Sequence, residues 1–160
     1  MPVGVTSTAP DFELANEFGE RMRLSDLLLS GPVCLVFFPL AFSQTCTAEL
    51  DELRDNLELF TRNGVQLVAI SVDSKASLRA FADERGYDFP LLADFWPHGA
   101  VATEYGAFRD EKGYANRATF VIDQGRVIRA SFATELGRPR AIESYRLAFD
   151  ALSPSSVNPT

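Results

Sequence analysis

Residues 32–46 read PVCLVFFPLAFSQTC, and this stretch decides the fold. Residues 33–38 are a continuous apolar run, which is typical of a strand buried on both faces of a sheet. Pro39 ends that strand because proline has no backbone N–H to give to a sheet. A helix is predicted from about residue 45 to residue 61, with an apolar stripe at helical spacing. The stripe consists of Leu50, Leu53, Leu57 and Phe60.

The segments on either side extend this strand-loop-helix unit into an α/β domain. Upstream, two short apolar segments flank residues 16–19 and predict a hairpin, and Ser25 is expected to cap a short helix. Ser74 is expected to cap a second long helix, which Gly86 ends. Downstream strands are predicted at 66–72, 89–92, 118–122 and 127–132, and helices at 75–85, 99–105 and 139–152. This order predicts a thioredoxin-like fold, in which a central mixed sheet is flanked by helices and carries an N-terminal hairpin and an insertion between about residues 90 and 109.

Length and composition predict one ordinary globular unit. The chain has 160 residues, of which 46% are hydrophobic and 23% are charged. We expect a single domain over residues 1–153 and a loose tail, rich in Ser and Pro, over residues 154–160. The net charge of −7 argues against nucleic acid or a membrane as a partner. Because the N-terminus resembles no secretory signal, a cytoplasmic location is expected.

The chain contains two cysteines and one histidine, which excludes a disulfide framework and leaves no metal-ligand spacing. We therefore expect neither a metal nor another cofactor. Cys34 falls inside the predicted buried strand and is interpreted as a core residue. Cys46 falls in the first turn of the predicted helix, where free backbone N–H groups and the helix dipole favour a thiolate. A thiolate is the nucleophilic form of cysteine, so Cys46 is the candidate reactive group.

The residues around Cys46 match the pattern Pro-x-x-x-(Thr or Ser)-x-x-Cys, here Pro39, Ser43 and Cys46. This pattern resembles the active-site signature of the peroxiredoxin family. The opening segment APDF at residues 9–12 and the segment NRATFVID at 116–123 resemble two further family segments, and the resemblance covers about residues 7–152. The segments FFPLAF at 37–42 and DFWPHGAV at 94–101 are most similar to the one-cysteine peroxiredoxins of actinobacteria, the alkyl hydroperoxide reductase E type.

The resemblance implies a thiol peroxidase with the thioredoxin-like fold of that family. Cys46 would attack a hydroperoxide and become a sulfenic acid. The resemblance assigns the stabilising donors to the Cys46 backbone N–H, the Ser43 hydroxyl and Arg117, and Pro39 would shield the sulfur from solvent. Serine replaces the more common threonine at position 43, so it keeps the hydroxyl without the stiffening methyl group.

Three other residues near the motif have open or secondary interpretations. Glu49 lies one turn after Cys46, and it either orients the arginine or complements the helix dipole. His98 is interpreted as a structural or surface residue because attack by a thiolate needs no separate base. Phe42 is expected to line an apolar entry to the site.

The absence of a second cysteine at two positions predicts how the oxidised Cys46 is reduced. One peroxiredoxin subfamily has a second cysteine five residues after the first, and here that position is Asp51. The C-terminal segment from residue 138 has no cysteine either. We therefore predict a one-cysteine enzyme whose sulfenic acid is reduced by an external thiol. The resemblance implies mycothiol or a mycoredoxin- or thioredoxin-like protein as the reductant, and a homodimer or larger homo-oligomer.

The alternative classes of protein are a thioredoxin-like dithiol oxidoreductase and a non-enzymatic holdase or scaffold. A thioredoxin-like dithiol oxidoreductase would need a Cys-x-x-Cys pair at the helix start, and no second cysteine is present there. A non-enzymatic holdase or scaffold is compatible with the sequence as an added role. The combination of Pro39, Ser43, Cys46 and Arg117 argues for a working peroxidase.

Overall fold

A computed structural model describes residues 3–152 and contains a mixed seven-stranded sheet. The sheet strands are β1 (Glu13–Ala15), β2 (Arg21–Arg23), β3 (Val33–Phe37), β4 (Gln66–Ser71), β5 (Leu91–Ala93), β8 (Arg117–Ile122) and β9 (Ile128–Thr134), and the small pair β6 (Phe108–Arg109) and β7 (Tyr114–Ala115) lies outside it. The spatial order is β2-β1-β5-β4-β3-β8-β9. The central strands β3, β4 and β5 run parallel, whereas β1, β8 and β9 pair antiparallel with their neighbours. The predicted mixed sheet with an N-terminal hairpin is confirmed.

Six α-helices flank this sheet within the described residues. They are α1 (Leu24–Leu27), α2 (Gln44–Asp55), α3 (Leu57–Arg62), α4 (Lys75–Arg85), α5 (Ala100–Glu104) and α6 (Ile142–Phe149), and a 3₁₀ turn at Asp150–Leu152 follows α6. The helix α4 begins and ends as predicted, because the Ser74 hydroxyl accepts the Ser77 N–H at 3.2 Å and Gly86 adopts a left-handed conformation with φ +69°.

None of the helices between residues 3 and 152 is long and apolar enough to cross a membrane. The predicted tail at 154–160 lies outside the described residues.

The apolar core forms two layers, one on each face of the sheet. All five residues of β3 are buried, and their side chains alternate between the layers. Cys34, Val36 and the following Phe38 belong to the layer that also contains the buried faces of α2, α3, α4 and α6. That layer holds Cys46 as well, so β3 and the first turn of α2 share one packed environment.

The single helix predicted over residues 45–61 is wrong, because the structure divides it into α2 and α3 at Asn56. The backbone there turns to φ −117° and ψ 25°, and the Asn56 side-chain amide donates to the Glu52 carbonyl at 2.8 Å. An asparagine side chain that bonds to the backbone competes with helix continuation. After the break Leu59 becomes buried, whereas Leu57 is only partly buried.

Two further local predictions differ from the structure. Ser25 does not cap a helix, because α1 already begins at Leu24 and the Ser25 hydroxyl donates to the Asp11 carboxylate at 2.9 Å. The insertion after β5 contains the β6–β7 pair, which the sequence did not reveal. Each of these strands has two residues, which is too short for an alternating pattern to show.

Candidate active site

Cys46 lies in the first turn of α2, with Ser43 at the N-cap. The first backbone hydrogen bond of the helix runs from the Thr47 N–H to the Ser43 carbonyl at 2.9 Å. The N–H of Cys46 therefore precedes this bond and belongs to the unpaired end of the helix, where the helix dipole is positive. The Cys46 side chain is fully buried, with 0% exposure.

Arg117 approaches the sulfur from the first residue of β8. Its Nη2 lies 3.3 Å from Cys46 Sγ, its Nη1 donates to Glu49 Oε1 at 2.8 Å, and its Nε donates to the Leu136 carbonyl at 2.6 Å. Each guanidinium nitrogen thus has a partner, two of them on α2 and one in the segment after β9, and this fixes the plane of the group. The predicted residues Cys46, Arg117 and Glu49 come together in one buried cluster.

A second buried arginine, Arg140, completes this cluster and was not predicted. Its backbone N–H and Nε donate to Glu49 Oε2 at 2.6 and 2.8 Å, and its Nη2 donates to Glu49 Oε1 at 2.8 Å. Its remaining Nη1 donates to the Thr119 hydroxyl on β8 at 3.0 Å. Arg140 is 1% exposed and lies 91 residues from Glu49 in the chain. In the sequence it follows Gly137, Arg138 and Pro139, which resemble an ordinary exposed loop, so no local signal marked it.

The electrostatics of this cluster depend on the two guanidinium groups around Glu49. Burial alone would raise the pKa of Glu49, but the hydrogen bonds and charge of Arg140, helped by the charge of Arg117, lower it. Glu49 is therefore ionised, and the predicted contact with an arginine is present. Burial raises the pKa of the Cys34 thiol, against the opposing charge of Arg140, so Cys34 stays protonated.

A cavity of about 210 Å³ opens beside the cluster. It is lined by Pro39, Leu40, Ser43, Gln44, Thr45, Tyr114, Arg117 and Leu136. Three of the predicted site residues, Pro39, Ser43 and Arg117, thus share its wall. The cavity is wide enough for a small oxidant, and its walls carry both polar donors and apolar side chains.

The loop between β3 and α2 is held by Asp73, which follows β4. Its Oδ2 accepts the Ala41 N–H at 2.8 Å and the Ser71 hydroxyl at 2.6 Å. The Ser43 hydroxyl donates to the Leu40 carbonyl at 3.1 Å and makes no capping bond to the helix. Its oxygen lone pairs remain able to accept a hydrogen bond from a bound O–H group.

Two other predicted residues lie apart from the cavity. Phe42 does not line the entry, because its ring packs against Phe81 with the centroids 4.9 Å apart, and Leu40 takes the lining position. The backbone at Phe42 has φ +68°, in the left-handed region, and its side chain is 49% exposed. His98 is exposed and its Nε2 lies 2.7 Å from the Gly113 carbonyl, in agreement with a structural or surface role.

Comparison with known proteins gives the same family at the level of sequence and of structure. Residues 5–131 match the family model described as AhpC/TSA family. The chain is 44% identical to alkyl hydroperoxide reductase E of Mycobacterium tuberculosis over 151 residues, which are 94% of this chain and 97% of that protein.

Solved structures of similar fold also come from this family. The crystal structure of peroxidoxin BcpB from Mycobacterium tuberculosis superimposes with a TM-score of 0.80 at 33% identity and covers 92% of this chain and 95% of that one. The reduced 2-Cys peroxiredoxin of Plasmodium vivax has the same fold, with a TM-score of 0.86 at 23% identity over 99% of this chain and 86% of that one. The chain belongs to the AhpC/TSA family and is a peroxiredoxin, a thiol-dependent peroxidase.

Proposed function

We propose that Cys46 is the peroxidatic nucleophile, and that it reduces hydrogen peroxide and organic hydroperoxides by a one-cysteine mechanism. The observation that carries this proposal is the 3.3 Å contact between Arg117 Nη2 and Cys46 Sγ, because Arg117 also lines the cavity. A fixed positive charge beside a helix-start sulfur favours the thiolate, and the cavity gives a small oxidant a place to approach it.

The reaction is a two-electron displacement at oxygen. The Cys46 thiolate attacks the terminal peroxide oxygen, an S–O bond forms while the O–O bond breaks, and the leaving alkoxide or hydroxide takes a proton. Sulfur is oxidised to a sulfenic acid, and the peroxide is reduced to an alcohol or to water. Negative charge moves from the sulfur to the leaving oxygen, so donors that face both atoms stabilise the transition state.

Each predicted site residue has a role in this scheme. The Arg117 guanidinium donates to the sulfur. Arg117 and the Cys46 N–H then donate to the peroxide oxygen that the sulfur attacks. The resemblance makes the Ser43 hydroxyl a donor, but this hydroxyl already donates to the Leu40 carbonyl, so its role here is to accept from the O–H of the peroxide. Pro39 is a buried, rigid part of the cavity wall. Glu49 is a positioning residue, since it fixes Arg117 without facing the cavity.

The one-cysteine mechanism is supported by the surroundings of the second thiol. Cys34 is fully buried in β3, and its register partners are Leu67 on β4 and Val121 on β8. A disulfide with Cys46 would require a central strand or the helix start to leave its place, because the Cα atoms in a disulfide are at most about 7 Å apart and the Cβ atoms must face each other. The sulfenic acid is therefore reduced by an external thiol.

The identity of that reductant and the assembly are finer parts of the proposal. The 44% identity to mycobacterial alkyl hydroperoxide reductase E supports a low-molecular-weight thiol such as mycothiol, or a mycoredoxin- or thioredoxin-like protein. The same relationship supports a cytoplasmic homodimer or larger homo-oligomer.

Single-turnover oxidation tests the proposal. Reduced protein receives one equivalent of hydrogen peroxide in a stopped-flow instrument, and the product is then weighed by mass spectrometry. We expect rapid peroxide consumption and a gain of about 16 Da, which is one oxygen on Cys46. Cys46→Ser should abolish both, and Cys34→Ser is the matched control that should retain them. A stoichiometric Cys34–Cys46 disulfide in the wild-type protein would contradict the one-cysteine mechanism.

A further inference from the structure

Thr119 is a polar side chain in an apolar layer of the core. It lies in β8 and is 0% exposed, and its register partners are Val36 on β3 and Phe132 on β9. Val36 is a member of the core layer that contains Cys46, and Phe132 packs against that layer. A buried hydroxyl in such surroundings needs a hydrogen-bond partner, because the loss of its contacts with water is otherwise uncompensated.

The partner of this hydroxyl is the guanidinium of Arg140. Arg140 Nη1 donates to Thr119 Oγ1 at 3.0 Å, and the arginine is itself 1% exposed. The Nε, the Nη2 and the backbone N–H of Arg140 all donate to Glu49. Among residues 3–152, Thr119 is therefore the side chain that accepts from Nη1. Without its hydroxyl, a buried N–H of a charged group would lose its acceptor.

One strand holds both arginines that bind Glu49. Arg117 and Thr119 alternate with Ala118 along β8, so their side chains point to the same face of the sheet. Arg117 is a residue of this strand and binds Glu49 Oε1 directly. Arg140 comes from the segment before α6 and is bound to the strand through Thr119. The strand therefore fixes where the two guanidinium groups lie relative to the carboxylate.

We propose that Thr119 is a positioning residue for the peroxide reaction. Its hydroxyl fixes the guanidinium of Arg140, which in turn fixes both carboxylate oxygens of Glu49. Glu49 then orients Arg117, whose Nη2 lies 3.3 Å from Cys46 Sγ. This inference rests on the proposed function of Cys46, and it adds a residue that lies outside the wall of the cavity.

Loss of the Thr119 hydroxyl should misalign Arg117 without removing it. The free Nη1 of Arg140 would turn toward another acceptor, and the carboxylate of Glu49 would follow the guanidinium. Arg117 would keep its charge, but its donors would no longer face the sulfur and the peroxide oxygen as they do in the wild-type protein. The rate should fall, because stabilisation of the transition state depends on donors that are already in place.

The variant Thr119→Val tests this inference, because valine keeps the branched shape and the preference for a strand while it removes the hydroxyl. Reduced protein is mixed with hydrogen peroxide in a stopped-flow instrument, and the rate constant for peroxide consumption is measured. We expect about a tenfold fall, which is less than the effect of losing a transition-state donor outright. Thr119→Ser keeps a hydroxyl at the same place and should stay within about twofold of wild type.

The matched control is Tyr145→Phe, which changes the same region without removing the acceptor for Arg140. The Tyr145 hydroxyl is buried and lies 3.5 Å from the Thr119 hydroxyl. The ring of Tyr145 packs against Phe60 and Phe132, and phenylalanine keeps that packing. The control should therefore consume peroxide within about twofold of the wild-type rate.

A double-mutant cycle separates positioning from general destabilisation. Thr119→Val is combined with Arg140→Met, and the oxidation rate and the unfolding in urea are measured for all four proteins. If Thr119 acts through Arg140, Thr119→Val should lower the rate about tenfold in the wild-type background and less than about twofold in the Arg140→Met background. A merely structural role of Thr119 would lower the rate by the same factor in both backgrounds. If Thr119→Val does not fold, Thr119→Ala takes its place in the cycle.

The inference is overturned if the variant without the Thr119 hydroxyl reacts at the wild-type rate, or if Thr119→Ser is as slow as that variant. It is also overturned if Tyr145→Phe is equally slow, or if the factor is the same in both backgrounds. If the wild-type protein does not react with peroxide, the proposed function fails instead. The urea data then still test the contact, because additive losses of stability in the cycle would show that Thr119 does not hold Arg140.

Discussion

Replacement of Arg140 by methionine is the sharpest test of how the site is held together. Methionine keeps much of the length of the side chain and removes its charge and donors. Three side-chain hydrogen bonds are lost, two of them to Glu49 and one to Thr119. Glu49, which is 2% exposed, would then rely on the single Nη1 contact from Arg117 and on the Arg140 backbone N–H.

The loss of unfolding free energy in Arg140→Met follows from the burial of the ion pair between Arg140 and Glu49. Removing one partner of a buried pair costs about 3–5 kcal/mol, because the other charge stays in the interior without compensation. Since Arg117 still pairs with Glu49, we expect the lower end, about 3 kcal/mol. For a domain of this size that corresponds to a fall in melting temperature of about 6–12 °C. The oxidation rate of Cys46 should fall as well, because Arg117 loses the carboxylate geometry that orients it.

The loss of stability in Arg140→Met should depend on pH in a defined direction. In the wild-type protein the pKa of Glu49 is lowered, so its pairing stabilises the fold above the pKa of the unfolded state, and this contribution is lost as the pH falls through the folded value. In Arg140→Met the hydrogen bonds and charge of the Arg140 guanidinium no longer lower the pKa of Glu49, so its folded pKa is higher than in the wild-type protein. The variant therefore gains less stability than the wild type as Glu49 ionises with rising pH. The difference in unfolding free energy between the two proteins should therefore grow from about pH 4 to pH 7.

Urea unfolding at several pH values measures this difference, and Arg146→Met is the matched control. Arg146 also binds a glutamate, Glu143, but both side chains are more than half exposed. An exposed pair contributes little, so the control should be close to wild type at every pH. If Arg140→Met lost no more stability than Arg146→Met, or lost the same amount at pH 4 and pH 7, the ionised Glu49 pair would not be what holds the site.

Four further outcomes are expected. Arg117→Ala should slow sulfenic acid formation by about a hundredfold, the scale for loss of one transition-state donor, and an unchanged stopped-flow rate would contradict its role. Ser43→Ala should slow peroxide reduction, whereas Ser43→Thr should keep it, and equal rates in both variants would remove the hydroxyl from the mechanism. Cys34→Ser should keep the fast oxidation phase of Cys46 in single-turnover kinetics. Ser74→Ala should cost about 1 kcal/mol in urea unfolding through the lost helix cap, with unchanged peroxide reduction.

The main strands and helices could be predicted because the sequence patterns that mark them are local. The apolar run at 33–38, the proline after it and the helix stripe lie within one short stretch, and each depends on neighbouring residues alone. The same is true of the capping pair at Ser74 and Gly86, which the structure reproduces. The break at Asn56 was missed because asparagine is tolerated inside helices, and its side-chain bond to Glu52 is visible only in the folded chain.

The site was predicted in part for the same reason. Pro39, Ser43 and Cys46 lie within eight residues, so the motif is visible as sequence. Arg117 came from the family resemblance rather than from any local pattern. Arg140 was missed because its burial is a consequence of Glu49, which lies 91 residues away and supplies the partner for its charge. No property of the segment around Arg140 distinguishes it from a solvated loop arginine before that contact forms.

Glu49 shows why the proposed active site exists only in the folded chain. A carboxylate one turn after a cysteine should oppose a thiolate, and in an isolated α2 it would do so. In the folded protein Arg117 and Arg140 bring two positive charges to the single negative charge of Glu49. The three charged side chains therefore carry one positive charge in excess, and Arg117 holds its guanidinium 3.3 Å from Cys46 Sγ. Since β8 and the segment before α6 bring these two arginines from distant parts of the chain, the positive charge beside the sulfur is formed by the same tertiary contacts that close the fold.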